Sequence, residues 1–113
     1  MRFLYHAQDP ELPPAFHSFA EERVLAILGH LTERLTQVEV HMKDTNAHKQ
    51  GIDKRCVIEA RPRGMDPVAA EHEAAEARDA LVGAGKKLEN LLTSRFGRRD
   101  AHPPRGGPRA TTA

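Results

Sequence analysis

A chain of 113 residues with 39% apolar side chains allows one small domain with a modest core. There is no Trp, one Tyr and four Phe, so aliphatic residues must build most of that core, and the single cysteine, Cys56, excludes an intrachain disulfide framework. The net charge of +1 conceals an asymmetry. Residues 1–94 carry 12 Lys/Arg against 15 Asp/Glu, a net of −3, whereas residues 95–113 carry five Arg against Asp100, a net of +4. This argues for a basic interaction segment on a mildly acidic body rather than for a uniformly basic nucleic-acid binder. No apolar run approaches the ~20 residues needed to span a bilayer. The N-terminus, MRFLYHAQDPELPP, lacks a long apolar segment and a small-residue cleavage site, so no signal peptide is expected and the expected location is cytoplasmic.

Residues 2–7 (RFLYHA) alternate weakly and suit an opening strand. Asp9-Pro10 and Pro13-Pro14 punctuate a loop. A helix can begin near Pro14, because proline is tolerated in the first turn. Its apolar face would be Phe16, Ala20, Val24, Ile27, Leu28 and Leu31. In QVEVHMKD, Val38, Val40 and Met42 alternate with Gln37, Glu39, His41 and Lys43, the pattern of a half-buried strand. Thr45 to Asp53 is polar, contains Gly51 and reads as a loop. Lys54 to Arg63 reads as the next strand, with Cys56, Ile58 and Ala60 on one face. Pro62, Gly64 and Asp66-Pro67 mark a turn. Val68 to His72 suits a short strand, although the Ala-rich run AAEHEAAEA also fits an extension of the following helix.

From Glu76 to Arg99 the apolar residues Ala77, Leu81, Ala84, Leu88, Leu91 and Leu92 form the stripe of an amphipathic helix about five turns long. Residues 100–113 are rich in Pro, Gly and Arg and are expected to be a disordered tail after a domain spanning residues 1–99. The order is strand, helix, three strands, helix. Strands 2, 3 and 4, joined by short connections, form an antiparallel meander. The economical architecture is α+β: a two-layer sandwich with both helices on one face of a four-stranded sheet. The other face, with Gln37, Glu39, His41, Glu59 and Arg61, would meet water.

A 100° step per residue puts Lys86, Lys87, Asn90 and Ser94 opposite Leu88, on the outward side of the last helix. Lys86 and Lys87, followed by Arg95, Arg98 and Arg99 at its end, are candidate phosphate contacts, and Arg61 and Arg63 beside Gly64 are a second cationic spot. Phosphate contacts of this kind give salt-dependent affinity with little sequence readout. Each cation also has an ordinary reading as part of a solvated surface. Cys56, between Arg55 and Val57-Ile58, reads as a small buried hydrophobe. None of the seven histidines falls in a His-x-x-x-His helix or beside a Cys-x-x-Cys pair, so no metal site or cofactor is expected. No Gly-rich phosphate loop, nucleophile elbow or metal triad is present, so no enzyme is expected. Gly83 and Gly85 each cost about 1 kcal/mol against Ala inside a helix. Gly85 flanks the buried stripe, which suggests a close approach to the sheet.

With this element order, and on the segments QVEVHMKDTN and RCVIEARPRGMDPVAAEHEAAEARDALVGAGKKLENLL, the chain resembles the ribosome hibernation-promoting factors, also called ribosome-associated inhibitors or sigma-54 modulation proteins. The Lys87-Leu88-Glu89 step in the closing helix matches the family's pattern over a resemblance covering residues 1–99. The resemblance implies a fold like that of double-stranded RNA-binding domains. It also implies binding to rRNA in the decoding region of the small ribosomal subunit, with inhibition of translation under stress. A chain of this length is expected to be a short-type member, monomeric off the ribosome and without the dimerisation domain of the long members. No membrane and no small-molecule substrate are implied. After Lys-Leu-Glu the family usually continues with basic residues, where this chain has Asn90, Leu91, Leu92, Thr93 and Ser94. The competing function is a protein-interaction module of the same fold that uses the acidic sheet face and does not bind ribosomes.

Overall fold

The computed structural model describes residues 1–45 and 53–101. Strand β1 (Arg2–Gln8) leads into helix α1 (Ala15–Leu28) and a 3-10 segment (Gly29–Arg34). Strands β2 (Leu35–Asp44), β3 (Lys54–Pro62) and β4 (Val68–Ala74) follow, and helix α2 (Ala77–Ala101) closes the domain. The sheet order is β1-β2-β3-β4. β1 pairs with β2 in parallel, which α1 makes possible as the crossover connection. β2–β3 and β3–β4 are antiparallel. This is the two-layer α+β sandwich expected from the sequence.

The period-2 patterns are realised in the sheet. Val38, Val40 and Met42 of β2 and Cys56, Ile58 and Ala60 of β3 are fully buried. They meet Phe16, Ala20, Val24 and Leu28 of α1 and Ala80, Leu81, Ala84, Leu88, Leu92 and Phe96 of α2. Burial pushes the Cys56 thiol up to about 12, so it stays protonated and inert at neutral pH. On the other face Gln37, Glu39, His41, Glu59 and Arg61 are partly or fully exposed. The Ala-rich segment resolves as a strand: Val68 and Ala70 are buried while Ala69, Glu71 and Glu73 face water.

Four readings need correction. The α-helical face of α1 ends at Leu28, because Gly29 adopts φ +56° and the backbone tightens into the 3-10 segment, leaving Leu31 only half-buried. Leu91 does not belong to the buried stripe of α2; it is 45% exposed. Gly85 approaches α1 rather than the sheet, since a Cβ there would lie 3.0 Å from Ile27 Cδ1. Gly83 makes the close approach to the sheet: a Cβ would fall 2.1 Å from the His72 ring on β4. Helix α2 also runs to Ala101, so Asp100 is helical rather than part of a tail. Most of the loop Thr45–Asp53 and the tail beyond Ala101 lie outside the described residues, although Thr45 N–H donates to Asp53 O at 2.9 Å.

One interaction at the rim had no signal in the sequence. Lys54 opens β3 on the core side, at the level where β1 ends and β2 pairs through Asp44. Asp9 turns the chain after β1, its Oδ1 accepting from Glu11 N–H at 3.0 Å. Its Oδ2 lies 2.7 Å from Lys54 Nζ, and Glu11 Oε1 lies 2.8 Å from the same ammonium. Asp9 and Lys54 are both buried. Burial by itself would raise the Asp9 pKa, but the hydrogen bonds from Lys54 and the Glu11 backbone outweigh it and hold the carboxyl below its ordinary value. Lys54 is raised, chiefly by its hydrogen bonds to Asp9 and Glu11.

Removing one member of such a pair leaves a buried charge uncompensated. Lys54→Met is therefore expected to lower stability by about 3 kcal/mol, the low end for broken buried pairs, and adding Asp9→Asn should recover much of the loss in urea denaturation. The pH profile has a determinate sign. The lowered Asp9 pKa means the unfolded chain takes up its proton first, so this contribution is complete above pH ~4 and is lost as pH falls through the folded value. The Lys54 contribution is complete below pH ~10.4 and is lost as pH rises through its raised folded value.

The helix glycines divide by their surroundings. Gly83→Ala should lower the melting temperature, because the His72 ring must move. Gly97→Ala, with nothing within 4 Å of the new Cβ, should gain up to about 1 kcal/mol of helix propensity and raise it.

Candidate nucleic-acid interface

Arg78, in the first turn of α2, lies over the Phe19 ring at 4.6 Å, and the remaining cations of the helix fall into two groups. Lys86 and Lys87 sit mid-helix, both exposed. Lys87 leans towards β4, where its Nζ donates to Glu71 O at 3.1 Å. Arg98, about 18 Å further along the axis at 1.5 Å per residue, is exposed and donates to Ser94 Oγ at 2.9 Å. Leu91 is exposed between the two groups. Long cationic side chains held on a rigid helix at this spacing can reach well-separated phosphates of an RNA backbone, whose recognition depends on shape and charge.

The second group gathers at one end of the molecule, where the 3-10 segment, the β3–β4 turn and the last turns of α2 meet. Arg63 N–H donates to Arg34 O at 2.9 Å, and the Arg63 guanidinium donates to Glu33 O. Arg99 Nη1 donates to Gly64 O at 3.1 Å, at the turn where Gly64 takes φ +71°. Arg34 makes a two-pronged contact with Asp100, at 3.1 Å on each prong, and its guanidinium lies 4.1 Å from the centroid of the Phe96 ring. Arg61 faces the solvent side of the sheet and pairs with Glu59 at 3.3 Å. Arg95 is only half-exposed.

The structure thus brings Arg63, Arg98 and Arg99 to one end, keeps Lys86 and Lys87 on the helix midsection, and places Arg61 on the opposite sheet face. Arg34 joins the end cluster without having stood out in the sequence. It follows Glu33 in a polar run, and only the packing of α2 onto the 3-10 segment reveals its partners. Among the described residues, His6, Glu39 and His41 come together on the solvent face of the sheet, and Asp9, Glu11 and Asp44 gather round Lys54. Neither group touches the α2 cations.

The architecture is shared with solved structures. The chain superimposes over 86% of its length on 99% of a ribosomal subunit interface protein from Coxiella burnetii, with a TM-score of 0.70 and 14% identity. Over 85% of its length it superimposes on 99% of the Protein Y N-terminal domain from Thermus thermophilus, with a TM-score of 0.65 and 23% identity. These likenesses establish the fold. Residues 5–100 match the family model described as sigma 54 modulation protein / S30EA ribosomal protein. The chain belongs to that family of ribosome-associated factors, as the element order and the Lys87-Leu88-Glu89 step suggested. No curated protein matches it significantly.

The end cluster makes its own prediction. Both Arg34 and Asp100 are substantially exposed, at 41% and 63%, so their ion pair should contribute little. Asp100→Asn should cost about 0.5 kcal/mol. Arg34→Ala also forfeits the Phe96 contact and should cost about 1 kcal/mol, read by urea denaturation.

Proposed function

We propose that this protein is a non-enzymatic ribosome-associated factor of the cytoplasm that binds rRNA of the small subunit, in the decoding region, and holds ribosomes inactive under stress. The family is one of ribosome modulators rather than of enzymes. The observation that carries the reading is the exposed cationic strip of α2, from Lys86 and Lys87 to Arg98, on a domain of this family. Arg63 and Arg99, held on backbone carbonyls at the end of the helix, extend it. Arg95 lies at its margin, whereas Arg61, on the opposite sheet face, lies outside it. A mildly acidic body keeps non-specific attraction low, so that affinity depends on the strip being presented in one geometry. No aromatic platform is needed for a partner recognised by shape and phosphate position.

Co-sedimentation with purified small subunits tests this. Five phosphate contacts would weaken binding about a hundredfold to five-hundredfold between 50 and 200 mM monovalent salt. The wild-type chain is expected to pellet with the subunit at the lower salt and to be released at the higher. A Lys86→Glu, Lys87→Glu, Arg98→Glu variant should stay in the supernatant at both while keeping its circular dichroism. Pelleting that is indifferent to salt and to charge reversal would overturn the rRNA reading and favour a protein partner.

A further inference from the structure

Three side chains converge on the open face of the sheet at the seam of β1 and β2. His6 and His41 are register partners in the parallel pair. Their rings stack with centroids 4.8 Å apart and planes 19° from parallel. Glu39 lies two residues before His41 and so shares its face. Its Oε2 is 2.6 Å from His6 Nε2 and 3.6 Å from His41 Nε2. The two imidazoles are each 49% exposed and the carboxylate 21%.

We propose that His6, His41 and Glu39 form a binding site for a divalent transition ion of the zinc class. Two imidazole nitrogens and one carboxylate oxygen are a donor set that suits zinc and its neighbours better than calcium or magnesium. Ligand atoms at tetrahedral bonding distance from zinc lie about 3.3 Å from one another. The two separations from Glu39 Oε2 straddle that value, and all three donor atoms lie within 4.8 Å of one another. The donors stand on adjacent hydrogen-bonded strands, so backbone register rather than a loop sets their spacing. In the absence of an ion the same atoms satisfy one another through the His6–Glu39 hydrogen bond.

Three protein ligands leave a fourth position open, as in zinc sites that take water or an exogenous ligand. A depression of about 280 Å³ adjoins the pair, lined by His6, His41, Lys43 and Arg55 among others. Arg55 is paired with Glu71 at 2.8 Å. Lys43, two residues beyond His41 on the same face, therefore supplies local positive charge that favours water or an anion in the fourth position. The site lies on the sheet face opposite the helices, so it is independent of the rRNA reading.

Titration calorimetry of the full chain with Zn²⁺ alone, in a non-chelating buffer, tests the proposal, with Co²⁺ absorption reporting coordination. One ion per chain is expected, with a four-coordinate Co²⁺ spectrum and a rise in melting temperature on Zn²⁺ addition. His6→Gln, Glu39→Gln and His41→Gln should each weaken binding at least about tenfold, since even outer-shell partners are worth that much. His30→Gln, on the exposed 3-10 segment, should bind like the wild type. No saturable binding, or undiminished affinity in His41→Gln, overturns the proposal. For any variant that loses its circular dichroism, Cu²⁺ broadening of the wild-type imidazole resonances decides instead. Broadening led by His6 and His41 supports the site, and broadening led by other histidines overturns it.

Discussion

The seating of α2 on β3 and β4 is the constraint on which the rest depends. A four-stranded sheet has one face to bury, and here few aromatic side chains are available to fill the gap beneath a helix. The chain brings the helix down instead. Ala80 and Ala84 are fully buried beneath it, Gly83 admits the His72 ring, and Gly85 lets Ile27 of α1 press in from the side. Close packing then recovers through contact density what the small side chains forgo in area. Three glycines in one helix weaken it intrinsically, and burial of Leu81, Leu88, Leu92 and Phe96 offsets that weakness.

The same seating decides which cations are presented. With α2 locked by its apolar stripe, Lys86 and Lys87 have one available orientation. Arg99 is drawn under the helix end to the Gly64 carbonyl. At the opposite rim, Lys54 closes the end of the core where hydrophobic residues run out. Its ammonium is held by Asp9 and Glu11, so a strand-initial lysine becomes a clamp on the loop after β1. Positive charge on this molecule therefore has two uses, one structural and neutralised, the other displayed.

Much of this was legible in the residues, for reasons that can be named. Val38-Val40-Met42 and Cys56-Ile58-Ala60 alternate strictly because one sheet face is buried and the other wet, which gave both strands and their orientation. The α2 stripe located the helix and its outward lysines. Partners separated far in sequence stayed hidden. Arg34 and Asp100, Asp9 and Lys54, and His6 and His41 meet only through the parallel pairing of β1 with β2 and the docking of α2, and no local pattern encodes either. Leu91 misled because it lies at the edge of the stripe, where periodicity alone does not separate buried from exposed.

The fork between Arg34 and Asp100 sets the electrostatic character of one pole of the molecule. Arg34 stands beside Arg63 and Arg99 but is matched by a carboxylate from the last helical turn, so the cluster is less positive than its count of guanidinium groups. That carboxylate lies at the junction with the Arg-rich C-terminus. A chain ending before Asp100 would lose the two arginines that follow it in the sequence while unmasking a guanidinium on the domain. Shortening the C-terminus thus uncovers positive charge on the domain as well as removing it from the chain.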